Sequence, residues 1–342
     1  MESKPALKAL RPYTVKNLEY TVKLDANEST NYLFKDGIVL DTNALNLYPD
    51  SNALSLREKL SEFTNVPIEN LMVGSGSSEL IELIIKTYVA PGETVLSFNP
   101  SFTMYEVYTT IHNGKFVSIP VEDHSTFNID QLIDKAQTIH PKLIIVCTPN
   151  NPTGYKTPKE DILKLIQNTS SLILLDEAYM DFADENSSFL HLARQYKNVI
   201  VARTFSKAFG LAGARLGYIS TALPILQSLS QVKTPYSVST LTQTIAIEAL
   251  SKKRLVQQHI IGIIKRRRDL QYQLNNLGFT VYPSQTNFLF VSTPVKNLGE
   301  ELIKKGVLIR DFASYQTGFY RITVGTETEN AKLVKTLKEI LS

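Results

Sequence analysis

The stretch Arg203-Thr-Phe-Ser206-Lys207-Ala-Phe-Gly210-Leu-Ala-Gly213-Ala-Arg215-Leu-Gly217-Tyr218 sets a lone lysine where a solvated one is hard to place. The run before it, Asn198-Val-Ile-Val-Ala-Arg203, reads as a short buried strand. The glycines after it read as tight backbone turning rather than regular helix. Lys207 therefore occupies a strand-to-loop crook. Held among Phe205, Ala208 and Phe209 it is partly desolvated, which lowers its pKa and frees a neutral amine to attack a carbonyl. That is Schiff-base chemistry. A surface lysine in a Gly-rich loop is the alternative for such a residue in isolation, and the neighbours decide against it.

Ser206 offers a hydroxyl beside the lysine, and Arg215 follows at a spacing that brings its guanidinium back over the same loop. Arginine forks bidentately onto phosphate oxygens, and serine adds a neutral donor. A carbonyl cofactor that carries a phosphate and forms a Schiff base with lysine is pyridoxal 5'-phosphate. The whole run also resembles the lysine signature of fold-type I aminotransferases, with the S-K-x-x-G-L-x-G-x-R-x-G pattern complete.

Composition agrees with an ordinary globular enzyme. At 342 residues the chain is long enough for two domains, and a formal charge of +3 does not argue for a nucleic-acid surface. The one basic run, Lys265-Arg266-Arg267-Arg268, reads as the solvated face of an amphipathic helix. Cys147 is the single cysteine, so no disulfide forms within the chain and a reducing cytoplasm is the expected compartment. No apolar run approaches the ~20 residues that span a bilayer. The N-terminus, with Glu2, Lys4 and Pro5, does not read as a secretory signal. No metal site is expected.

Taken in order, residues 1–27 read as an arm, 28–248 as a large domain and 249–342 as a small α+β domain. Short apolar runs near Leu71, Thr94, Lys115, Leu143, Leu172 and Val199 alternate with helical periods. Such alternation predicts an α/β fold with a mainly parallel sheet flanked by helices on both faces, and ligands collect at the carboxyl ends of its strands. The motifs fall at those ends. Gly74-Ser75-Gly76-Ser77-Ser78-Glu79 opens a helix, so amides near Ser77 and Ser78 can meet an anion. Tyr105 is placed at the mouth of the site, either stacking on a pyridine ring or packing in the core or rim. Asp176 ends a wholly apolar strand, a costly position unless it meets a cation such as a protonated pyridine nitrogen. A near-continuous helix is predicted from Val238 to about Leu274. Arg310 and Arg321 sit on strands of the small domain, with Arg321 facing away from Tyr320 and Ile322.

The resemblance extends over nearly the full length. Thr148-Pro-Asn150-Asn151-Pro152-Thr153-Gly154 is similar to the N-P-x-G element of fold-type I aminotransferases, which implies that Asn151, with Tyr179, meets the cofactor's phenolate oxygen. Leu10-x-Pro12-Tyr13, Pro235-Tyr236-Ser-Val-Ser239, Thr286-Asn287-Phe288, Ile309-Arg310-Asp311 and Tyr320-Arg321-Ile-Thr-Val-Gly325 are similar to the histidinol-phosphate aminotransferase family. Asn27-Glu28 is followed by Ser29 where that family usually has proline, and the loop between Arg310 and Arg321 is short. The resemblance implies reversible, ping-pong amino transfer between L-histidinol phosphate and 2-oxoglutarate in histidine biosynthesis. It further implies that Arg321 holds the glutamate carboxylate or the substrate phosphate, that Tyr13, Asn27 and Arg310 belong to the substrate side, and that Tyr48 reaches the cofactor phosphate of the neighbouring subunit of a homodimer. An aromatic or broad-specificity aminotransferase, a decarboxylase of a phosphorylated amino acid and a non-catalytic protein on the same scaffold are the alternatives.

Overall fold

The computed structural model describes residues 7, 10, 18–30, 33–40, 42 and 45–342. Along the chain these form β1 (Val22–Leu24), α1 (Leu54–Thr64), β2 (Leu71–Gly74), α2 (Gly76–Tyr88), β3 (Thr94–Asn99), α3 (Met104–Ile111), β4 (Lys115–Pro120), α4 (Ile129–Ile139), β5 (Leu143–Cys147), α5 (Lys159–Asn168) and β6 (Leu172–Asp176). There follow β7 (Val199–Thr204), β8 (Gly217–Thr221), α6 (Leu223–Val232), α7 (Thr240–Ser251), α8 (Lys253–Asn276), β9 (Thr280–Val281), β10 (Phe288–Ser292), α9 (Leu298–Lys304), β11 (Val307–Asp311), β12 (Phe319–Thr323) and α10 (Glu327–Leu341).

Seven strands make the larger sheet in the order β2-β8-β7-β6-β5-β3-β4. β3 through β7 pair in parallel, and only β8 runs against its neighbours. The fold is the mainly parallel α/β arrangement that the alternation predicts. Its strands read as unbroken apolar runs because both faces are covered. Successive side chains point to opposite faces. Leu143, Ile145 and Cys147 of β5 pack with Leu174, Ile200 and Ala202 toward α2 and α6. Ile144, Val146, Ile173, Leu175, Val199 and Val201 pack toward α1, α4 and α5.

The smaller sheet runs β1-β11-β12-β10-β9 and buries its apolar face under α8, α9 and α10. A capping box of Thr326 and Glu329 starts α10, supplying acceptors for N–H groups that have no partner within the helix. Val22–Leu24, within the expected arm, is the edge strand of this sheet and pairs in parallel with β11. Pairing with β11 gives this segment ladder hydrogen bonds and buries Val22 and Leu24.

Two expectations are corrected. The helical stretch after Val238 is broken at Lys252, where α7 ends and α8 begins. The basic run on α8 is not uniformly solvated: Lys265 and Arg268 are exposed, but Arg267 is buried. Its guanidinium donates to the neutral Thr286 carbonyl at 2.5 Å, and the charge of Asp184 acts on it from nearby. Arg267 sits on the same stripe as Ile263, Leu270 and Leu274, at helical spacing, which is why it turns inward.

Candidate functional site

The carboxyl ends of β5, β6 and β7 meet the first turn of α2 around a cavity of about 420 Å³. Two larger hollows, of about 800 and 730 Å³, lie elsewhere on the surface, but only the smaller one gathers Lys207, Asp176 and Arg215. Convergence of perturbed titratable groups with polar donors, rather than size, marks a site.

Lys207 sits just beyond β7, where Phe205 stacks on Phe209 at 4.4 Å between ring centroids. The side chain opens partly onto the cavity, yet the surrounding protein desolvates its amine. Burial first, and the nearby Arg321 charge second, push the pKa down to about 7. Its Nζ donates to the carbonyls of Asn27 at 3.0 Å and Ala26 at 3.3 Å. Asn27 has φ +52°, a left-handed conformation that asparagine tolerates better than most residues.

Asp176 ends β6, beside Cys147 in the β5–β6 register, and both line the cavity. Burial pushes its carboxyl upward, opposed by the Tyr105 hydroxyl, the Ala178 amide and the charge of Lys207. Among the described residues no cation forms an ion pair with it. A buried carboxylate at a cavity wall is matched by a cation delivered into that cavity.

Tyr105 is not at the mouth of the site. It is fully buried on α3, and its hydroxyl donates to Asp176 Oδ2 at 2.6 Å. Phe102, set edge-on to Tyr105 at 5.5 Å, lines the cavity in its place. The sequence segment from Pro100 to Tyr105 points to an aromatic residue at the site, but to Tyr105 rather than Phe102.

Ser77 and Ser78, in the first turn of α2, line the cavity together with Ser206 and Arg215. Two glycines permit the approach. A Cβ on Gly76 would lie 2.6 Å from Arg215 Nη2, and one on Gly217 only 2.3 Å from the Ser77 amide nitrogen. A helix N-terminus, three hydroxyls and a guanidinium form a donor set for a phosphate dianion.

Asn151 and Tyr179 line the same cavity. Asn151 Oδ1 accepts from Arg321 Nη1 at 2.6 Å, and the Tyr179 hydroxyl accepts from Asn27 Nδ2 at 2.9 Å. Burial pushes the Tyr179 phenol up to about 12, so it remains a neutral donor at physiological pH. Asn27, buried, is thus shared between the two sheets: its amide nitrogen donates to Thr323 Oγ1 at 3.0 Å, and its carbonyl accepts from Asn287 Nδ2 at 3.1 Å. Sequence reading names Asn287, Glu28 and Cys147 but gives them no role in the site; the latter two line the cavity.

Arg321 is buried on β12, with its guanidinium over the rings of Phe288 and Phe312 at 5.4 and 5.8 Å. Its Nη2 donates to the Asp25 carbonyl at 2.7 Å. Arg310 is its direct partner across the antiparallel β11–β12 pair. Tyr48 is 81% exposed and stacks on Tyr236 at 4.6 Å, away from the cavity wall of this chain. Tyr13 lies outside the described residues. The lysine, the buried carboxylate and the phosphate donor set together fit a phosphorylated carbonyl cofactor with a basic ring nitrogen.

A family model described as "Aminotransferase class I and II" matches residues 19–337. The histidinol-phosphate aminotransferase of Caldanaerobacter subterraneus subsp. tengcongensis is 36% identical over 345 residues, covering 98% of this chain and 97% of that protein. The crystal structure of histidinol-phosphate aminotransferase from Sinorhizobium meliloti in complex with pyridoxal-5'-phosphate superposes with a TM-score of 0.90, at 23% identity over 99% of this chain and 97% of that one. The L-threonine-O-3-phosphate decarboxylase of Porphyromonas gingivalis superposes with a TM-score of 0.82, at 23% identity over 94% of this chain and 99% of that one. The two structural likenesses speak for the fold alone. Among the described residues no helix is long and apolar enough to cross a membrane.

Proposed function

The chain belongs to the class I and II aminotransferases, and on that premise we propose that it moves an amino group between L-histidinol phosphate and 2-oxoglutarate in histidine biosynthesis. It is a pyridoxal-phosphate-dependent transferase. What supports the substrate reading is that Lys207 lines the cavity with its amine pushed down to about 7, while the buried Arg321 guanidinium stands behind the cavity wall, bonded to Asn151 and close enough for its charge to act on Lys207. A substrate that carries both an amine and an anionic group is what such a pair can hold.

When bound, pyridoxal phosphate supplies a carbonyl that captures the amine and a cationic ring that accepts the electron pair left at the substrate Cα. Ser77, Ser78, Ser206 and Arg215 hold its phosphate. Asp176 holds the ring nitrogen's proton, Asn151 and Tyr179 orient the ring oxygen, and Phe102 offers an aromatic wall. Lys207, neutral above about pH 7, would take the proton from the substrate Cα as general base and, once protonated, would return it as general acid on the far side of the amine nitrogen. Arg321 anchors the carboxylate of glutamate or the phosphate of histidinol phosphate, with Arg310, Asn27 and Tyr13 on the same side. The first product leaves before the second substrate enters, giving ping-pong kinetics. Tyr48, exposed with its ring stacked on Tyr236, reaches the partner's phosphate in a cytoplasmic homodimer. We divide the chain into an arm to residue 27, a large domain to 248 and a small domain beyond.

The test is a half-reaction. Protein loaded with pyridoxal phosphate is mixed with L-histidinol phosphate, phenylalanine or O-phosphothreonine, and the absorbance of the lysine-bound cofactor is followed. Rapid loss with histidinol phosphate and slow loss with phenylalanine supports the reading. The reverse preference makes the chain an aromatic aminotransferase, and carbon dioxide release from O-phosphothreonine makes it a decarboxylase.

A further inference from the structure

Tyr105 has no surface on the cavity, yet it touches the residue on which the cofactor reading most depends. Its side chain is fully enclosed between α3 and the larger sheet, packed with Leu174 and Cys147. A phenol so placed must satisfy its hydroxyl inside the protein. It does so on Asp176 Oδ2, at 2.6 Å, while Asp176 Oδ1 accepts from the Ala178 amide at 3.2 Å. Both carboxylate oxygens are therefore held, and a terminal sp³–sp² torsion that is otherwise broad is fixed. The titratable groups around this carboxylate are Tyr105 from α3, Cys147 from β5, Tyr179 from its own loop and Lys207 from the loop after β7. Of these, only Tyr105 donates a hydrogen bond to the carboxylate among the described residues. Short O–H···O⁻ bonds are the stronger class of hydrogen bond.

We propose that Tyr105 is a positioning residue for the amino-transfer reaction: its buried hydroxyl fixes the rotation of the Asp176 carboxylate and keeps it ionised toward a ring nitrogen in the cavity. The proposal rests on the pyridoxal-phosphate reading given above. Burial alone drives Asp176 toward the neutral acid, and the hydroxyl opposes that drift. An uncharged Asp176 cannot hold the proton on a ring nitrogen. A role limited to packing requires only the ring, which phenylalanine supplies equally well.

The experiment compares the wild-type holoenzyme with Tyr105→Phe, both loaded with pyridoxal phosphate labelled with ¹⁵N in the ring. In wild type the ¹⁵N shift reports a protonated nitrogen over a wide pH range. In Tyr105→Phe the nitrogen is expected to keep its proton over a narrower pH range, because an Asp176 that has lost its donor drifts to the neutral acid and no longer pairs with the ring cation. Affinity for pyridoxal phosphate is expected to fall about tenfold to a hundredfold, the range for a hydrogen bond to a charged group. In the histidinol-phosphate half-reaction kcat falls while KM is little changed. Site-specific 3-fluorotyrosine at position 105, a stronger donor that packs like tyrosine, moves the ¹⁵N titration to higher pH. An unchanged titration and affinity in Tyr105→Phe overturns the proposal. If that variant does not fold, an unmoved titration in the fluorotyrosine protein overturns it instead. Failure of the wild type to bind pyridoxal phosphate overturns the cofactor reading itself.

Discussion

Arg321 Nη1 donates to the side-chain oxygen of Asn151 at 2.6 Å, tying β12 of the smaller sheet to the loop after β5 of the larger one. The contact uses one arm of the guanidinium fork, and the other arm donates to the Asp25 carbonyl at 2.7 Å. Arg321→Lys keeps the charge and loses the fork. We expect KM for glutamate to rise about tenfold to a hundredfold, with a smaller change in kcat. Stopped-flow absorbance across a glutamate series checks this, and an unaltered KM removes Arg321 from the substrate.

Lys207 carries a consequence for stability in the cofactor-free protein. Its folded-state pKa, about 7, lies below the unfolded value of 10.5, so the unfolded chain binds more protons between those limits. The penalty for burying the amine is fully present below about pH 7, shrinks as pH rises toward 10.5 and vanishes above it. Lys207→Met is therefore expected to be more stable than wild type at pH 6, with the gap closing by pH about 10.5. Urea denaturation at several pH values measures it; a gap that does not change with pH contradicts the shifted lysine. The same variant is expected to lose amino transfer.

Gly217→Ala introduces a Cβ 2.3 Å from the Ser77 amide nitrogen, a distance that forces β8 and the first turn of α2 apart. Overpacking of this kind costs about 1–3 kcal/mol. The phosphate donors on α2 move with it, so affinity for pyridoxal phosphate is expected to drop further than global stability explains. Equilibrium dialysis beside a denaturation curve separates the two effects. A substitution tolerated on both counts would show that the close approach has no role.

Arg267 gives a contrast within four consecutive residues. Arg267→Met leaves the buried Thr286 carbonyl without its donor, an expected loss of about 1–3 kcal/mol. Lys265→Met and Arg268→Met alter exposed side chains and are expected to stay within about 0.5 kcal/mol of wild type. Thermal denaturation of the three variants decides between a structural arginine and a uniformly solvated face.

The sequence by itself determined the layered α/β architecture, because strands buried on both faces must be apolar throughout and helices between them must be amphipathic. It marked the lysine loop, the Ser77 and Ser78 turn and the buried aspartate for a related reason: each ends or follows a strand, where the pattern is local in the chain. Tertiary structure decided the rest. Phe102 and Tyr105 lie three residues apart, and only the packing angle of α3 against the sheet puts the first at the cavity wall and the second behind Asp176. Asn27 acquired its place through a positive φ and partners more than 150 residues away, none of which a one-dimensional period can encode. Arg267 looked like its charged neighbours until helical phase turned it inward, since charge is a property of the residue but burial is a property of the fold.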